Sequence, residues 1–122
     1  MKRSVRLRLT GMLDAMAGIE ATVAGASFAE YARNWTMRRA VERGIEIISE
    51  ASRHLPEELK ARYPQIYWRE IAGIGNLLRH EYGRVDDQII WRVVEEYLPE
   101  LKGVVADLLR AESRRTSPKR PR

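Results

Sequence analysis

Residues 4–25 read SVRLRLTGMLDAMAGIEATVAG, and within them the apolar stripe is Val5, Leu9, Met12, Met16, Ile19 and Val23. The intervals alternate between four and three, the return period of one face of an α-helix. Arg6, Arg8, Asp14 and Glu20 fall off that stripe, and Gly25 ends it. The stretch therefore predicts one long helix with a single buried face.

The same rhythm recurs downstream. Ser27-Phe28-Ala29-Glu30 has capping-box spacing, a hydroxyl and a carboxylate placed to satisfy orphan amides, so a short helix or turn is expected there. Met37, Val41, Gly44, Ile48, Ala51 and Leu55 form a second stripe that stops at Pro56. Residues 56–64 (PEELKARYP) read as a connector of roughly one helical turn. Residues 67–82 (YWREIAGIGNLLRHEY) carry a third stripe, Tyr67, Ile71, Ile74 and Leu78, closed by Gly83 as a suitable C-cap. Asp86 can cap a fourth helix burying Ile89, Ile90, Val93, Val94 and Tyr97. Pro99 either kinks that helix or starts another, and Leu101, Val104, Val105 and Leu108 continue the pattern to about residue 111. No segment shows strand alternation with hairpin punctuation. The expected fold is all-α, an antiparallel four- to five-helix bundle over residues 1–111.

A chain of 122 residues with 44% hydrophobic residues can bury one core and not two. Its net charge is +5, but residues 112–122 (ESRRTSPKRPR) hold five basic residues and one acid, +4 of that total. The body is thus nearly neutral, and the basic tail is expected to be disordered yet attractive to polyanions. With no cysteine there is no disulfide, thiolate metal site or cysteine nucleophile, which suits a reducing cytoplasm. The basic opening MKRSVRLRL does not lead into a signal-peptide core, because Asp14 and Glu20 interrupt it. No run approaches the roughly 20 apolar residues of a bilayer-spanning helix, so a soluble protein without a membrane partner is expected.

Several chemistries are missing. There is no GxGxxG, no GxxxxGK and no HExxH, and the histidines, His54 and His80, stand 26 residues apart, so neither cofactor nor zinc is expected. Glu57-Glu58 and Glu95-Glu96 read as solvated helix faces. Trp35, Trp68 and Trp91 border apolar stripes, which makes packing their expected role rather than base stacking. One window differs: residues 73–83 (GIGNLLRHEYG) gather an amide, a guanidinium, an imidazole and a phenol. At about 100° per residue, Asn76 and His80 lie within about 40° of each other, one turn apart. His80 falls in the last turn, where the helix dipole favours a cation. Such a group can exchange protons with a phosphodiester; an ordinary surface histidine beside a C-cap is the alternative.

This window, in its context, resembles the HepT-like branch of the HEPN domains. The resemblance also includes residues 2–6 (KRSVR), 46–51 (EIISEA), 55–60 (LPEELK), Tyr63-Pro64, 68–71 (WREI), Val85-Asp86, Ile90-Trp91 and 98–101 (LPEL). It implies a HEPN-type bundle that forms a homodimer, with active residues of both chains in a cleft at the two-fold axis. It further implies a metal-independent RNA-cleaving toxin neutralised by a minimal nucleotidyltransferase antitoxin. The family motif Arg-x-x-x-x-His-x-Tyr matches this chain at Asn76, His80, Glu81 and Tyr82, and places antitoxin-catalysed AMP transfer on Tyr82.

The chain departs from the motif at its first position, where Gly75 replaces the arginine. Glycine can neither hold a phosphate nor stabilise developing charge. Arg79, four residues on and about 40° around the helix, is long enough to reach back over part of a turn. On this reading His80, Asn76 and Arg79 are the catalytic set, and Gly75→Arg is expected to leave or raise activity. A second reading is a catalytically silent module that binds nucleotide or RNA and serves as the nucleotidyltransferase's partner or AMP acceptor. A third, a basic RNA-binding bundle, rests only on the tail.

Overall fold

The computed structural model describes residues 1–80 and 86–116, with side chains as far as Glu112, and all regular structure among them is helical. The elements are α1 (Arg3–Val23), α2 (Phe28–Arg33), α3 (Trp35–Arg53), α4 (Glu57–Ala61), α5 (Trp68–His80), α6 (Asp87–Arg92), a π-helical segment (Val93–Tyr97) and α7 (Leu98–Thr116). Four long rods result, α1, α3, α5 and the continuous α6–π–α7, with α2 and α4 as short connectors. This is the expected all-α bundle.

Contacts fix the directions. The Met1 ammonium meets Glu112 at 3.1 Å and Glu20 meets Lys102 at 2.9 Å, so α1 and α7 run antiparallel. Ser49 lies against Gly75 while Arg53, further along α3, reaches Ala72, so α3 and α5 are antiparallel as well. α3 is the central rod, packed between α1 and α5.

Val5, Leu9, Met12, Met16 and Ile19 of α1 are all buried, as are Val41, Ile45, Ile48 and Ala51 of α3 and Leu101, Val104, Val105 and Leu108 of α7. Burial of such side chains is worth about 1.5–3 kcal/mol each, and this core is what holds the rods together. Gly25 takes a φ of 74° in the turn after α1, a conformation glycine adopts without a Cβ penalty. Ser27 caps α2 by accepting from the Glu30 N–H at 3.1 Å, and Asp86 caps α6 by accepting from the Gln88 N–H at 2.8 Å. Asn34 serves two helices at once. Its N–H closes α2 on the Tyr31 carbonyl, and its Oδ1 accepts from the Met37 N–H at 2.9 Å to open α3.

Three expectations need correcting, and a fourth, at Pro99, is resolved. Tyr67 and Ile89 are not interior: they are 59% and 55% exposed, because one flank of α5 and of α6 faces outward. Trp35 is exposed too, with the Arg39 guanidinium over its ring at 5.8 Å, whereas Trp91 packs on the buried Tyr31 at 5.1 Å. Pro99 sits in the first turn of α7, which begins at Leu98 directly after the π segment, so of the two alternatives it marks the start of a new helix. Proline has no N–H and its ring crowds the carbonyl four residues back; that carbonyl, on Glu95, lies in the wider π segment, where the Leu98 N–H bonds Val93 instead. Finally, α7 runs to Thr116, past the expected end near residue 111, and Glu112 is buried. Residues 117–122 of the tail lie outside the described residues.

Candidate functional site at the α3–α5 seam

Helix α5 is pinned at its start, in its middle and along one flank. At the start, the Trp68 indole N–H donates to the carbonyls of Lys60 and Tyr63, both at 3.1 Å. In the middle, Gly75 is buried against α3, where the Ser49 hydroxyl donates to the Ala72 carbonyl at 3.0 Å and accepts from the Gly75 N–H at 3.1 Å. Along the flank, Arg53 Nε and Nη2 donate to the same Ala72 carbonyl at 3.0 and 2.8 Å.

A Cβ on Gly75 would lie 2.6 Å from Ser49 Oγ and 2.8 Å from Ser49 Cβ. Rotating the hydroxyl cannot relieve the second contact, so any larger residue must push the helices apart. For Gly75→Arg this means that the substitution overpacks the α3–α5 contact and is no simple restoration of the motif. Glycine here is a packing residue as well as a departure.

The polar groups expected from the sequence share one side of α5. Arg79 Nη2 donates to Asn76 Oδ1 at 3.4 Å, so the arginine does reach back toward the preceding turn. Both residues are exposed, and so is His80, the last residue of α5. Tyr82, together with Glu81, Gly83 and Val85, lies outside the described residues. Sequence reasoning did not place at this site three side chains from the end of α3 and its C-cap, Glu50, Arg53 and His54. Glu50 Oε1 and His54 Nε2 are 3.1 Å apart, and Arg53 Nη1 is 3.9 Å from Glu50 Oε2. The His54 hydrogen bond, then the charges of His54, Arg53 and Arg79, hold the Glu50 carboxyl below its usual range. The i, i+3 and i, i+4 spacing of these residues was visible in the sequence; the helix they would face was not.

On the other side of His80 the surface is apolar. A groove of about 910 Å³ opens between α5 and α6–π, lined among others by Tyr67, Ile74, Leu77, Ile89, Val93 and Tyr97. Leu77, three residues before His80 and therefore its neighbour on the helix surface, is 52% exposed in that groove.

The fold and site together define a small all-α module that carries an imidazole, an amide and an arginine on one side of a helix, with a second arginine across the seam, beside an apolar groove. The chain belongs to the HepT-like ribonuclease family, whose description, "Ribonuclease HepT-like", matches residues 12–108. It is 38% identical over 90 residues to "Putative RNase TTE0752" of Caldanaerobacter subterraneus subsp. tengcongensis, covering 74% of this chain and 80% of that one. It is 37% identical over 103 residues to "Probable ribonuclease HepT" of Thermococcus cleftensis, covering 84% and 94%. A similarity of 30% over 109 residues to "Gamma-glutamylcyclotransferase and putative RNase MJ0434" of Methanocaldococcus jannaschii spans 89% of this chain and 49% of that protein. No solved structure matches it. Among the described residues, no helix is long and apolar enough to cross a membrane.

Proposed function

We propose that this chain is the RNA-cleaving subunit of a toxin–antitoxin pair, a metal-independent endoribonuclease that acts as a homodimer. The observation that carries this is the common face of Asn76, Arg79 and His80, with Arg79 drawn onto Asn76 at 3.4 Å, in a chain of this family. In the reaction the 2′-hydroxyl oxygen attacks the adjacent phosphorus and gives its proton to an imidazole. The bond from phosphorus to the 5′-oxygen breaks, and that oxygen takes a proton from an imidazolium, leaving a cyclic phosphate and a 5′-hydroxyl. His80 fills one of these roles, and His80 of a second copy is available for the other. Arg79 and Asn76 orient the phosphate and offset the charge that develops on it.

The apolar groove supports the homodimer, because exposed Leu77 and Ile89 are the kind of surface a second copy covers, and His80 follows Leu77 by three residues on the same helix. The antitoxin on this reading is a minimal nucleotidyltransferase that silences the toxin by transferring AMP to the Tyr82 hydroxyl.

A second reading has its own observation. Because Gly75 is fixed by packing against Ser49, the motif arginine is absent for a structural reason, which suits a silent member kept as partner or AMP acceptor. The two readings separate when a mixed cellular RNA pool is incubated with purified protein in EDTA beside His80→Ala prepared identically. Loss of one acid–base group lowers the rate by about 10²- to 10⁴-fold, so cleavage that vanishes with His80 supports the nuclease. Equal cleavage by both proteins means contamination, and no cleavage by an intact dimer favours the silent module.

A further inference from the structure

We propose that the α3–α5 seam is a second phosphate subsite, in which Arg53 holds a phosphate of single-stranded RNA neighbouring the one presented to His80, and Glu50 sets the strength of that grip. The inference rests on the ribonuclease reading and extends it along the substrate.

Arg53 is preorganised in a way that an ordinary surface arginine is not. Its Nε and Nη2 are both committed to the Ala72 carbonyl, at 3.0 and 2.8 Å, so the guanidinium plane is fixed by one edge. Among the described residues the other edge, Nη1 with the second Nη2 hydrogen, meets only the long 3.9 Å contact to Glu50, and the side chain is 37% exposed. That free edge is the fork that matches two phosphate oxygens. Most of the ordering that an arginine must undergo to bind is already done by the fold.

Its position decides which phosphate it takes. Ala72 precedes His80 by eight residues, roughly 12 Å of helix axis. That separation along α5 places Arg53 to take a phosphate of the same strand near the one presented to His80. Asn76 and Arg79 lie between them, which makes the polar side chains a track along the helix pair. A duplex would need its backbone to follow a straight seam between two rods; an extended single strand does so directly.

Glu50 is the opposing charge on this track. It contacts His54 at 3.1 Å and Arg53 at 3.9 Å, and the field of Arg79 acts on it too. An arriving phosphate competes with this carboxylate for the guanidinium, so Glu50 weakens the grip and favours release.

The test is fluorescence anisotropy of a labelled single-stranded RNA across a salt series, in the full chain carrying His80→Ala so that the strand stays whole. Adding Arg53→Gln is expected to weaken binding about tenfold and to reduce the slope of log K against log salt by roughly 0.7, the loss of one phosphate contact. Arg53→Lys should keep the slope while losing part of the affinity, since it retains the charge without the fork. Glu50→Gln, at an exposed position with little bearing on folding, should tighten binding severalfold. A purely structural role for Arg53 would lower the melting temperature and leave the slope unchanged, and that result overturns the proposal. So does a Glu50→Gln protein that binds no tighter, or a His80→Ala parent that does not bind RNA at low salt. If the slopes change as stated but the native protein cleaves nothing, the subsite stands and the nuclease reading alone fails.

Discussion

At Gly75 the side chain is a single hydrogen, and the close approach of Ser49 across the seam depends on it. Alanine has the better helix propensity by about 1 kcal/mol, so on an exposed helix face Gly→Ala would stabilise. Here the added carbon would sit 2.8 Å from Ser49 Cβ, so the opposite is expected. Gly75→Ala should destabilise by about 1–3 kcal/mol in urea melts, and placing it in a Ser49→Gly background should return much of that loss. Two additive penalties would show that the contact does not limit the approach. The sequence made the missing arginine legible, since position 75 is counted from His80, but not the reason a glycine fits there. That reason is held by Ser49, 26 residues away, and the two meet only once α3 and α5 have packed.

At the scale of elements, legibility followed how completely each helix is enclosed. The stripes of α1 and α7 were readable residue by residue, because each buries one face in a single core. Helices α5 and α6 bury one flank and leave another apolar flank uncovered, so Tyr67 and Ile89 resembled core positions in the sequence and are exposed in the fold. The π segment had no sequence signal beyond Pro99. Capping was more readable, because it needs only local geometry: Ser27 and Asp86 cap as their spacing suggested. Asn34, whose double role emerges only from the structure, gives the sharpest test of this level. Asn34→Ala removes the Oδ1 acceptor for the Met37 N–H and should cost about 1 kcal/mol, lowering the melting temperature by roughly 3–5 °C. A change of less than a degree would mean that tertiary packing alone sets the start of α3.

For the whole molecule, the groove and the seam are flanks of one helix, and the proposed homodimer ties them together. Leu77→Glu places a charge where a second copy would pack, without entering the core. It should convert a dimer to a monomer of unchanged helicity in sedimentation, and RNA cleavage should fall with it. A dimer that survives the substitution would move the interface elsewhere. The bundle's spacing is set on both sides of α3 by glycines, since a Cβ on Gly44 would lie 2.7 Å from Ile19 Cγ1, just as one on Gly75 would strike Ser49. This tightness constrains ancestry as well as stability. An arginine at position 75 either forces α3 and α5 apart or needs a smaller residue at position 49, yet shrinking Ser49 first removes the hydroxyl that bonds Ala72 and Gly75. Whichever state came first, no single neutral substitution joins them, and a lineage that settles in one is held there by the order in which the two changes must occur.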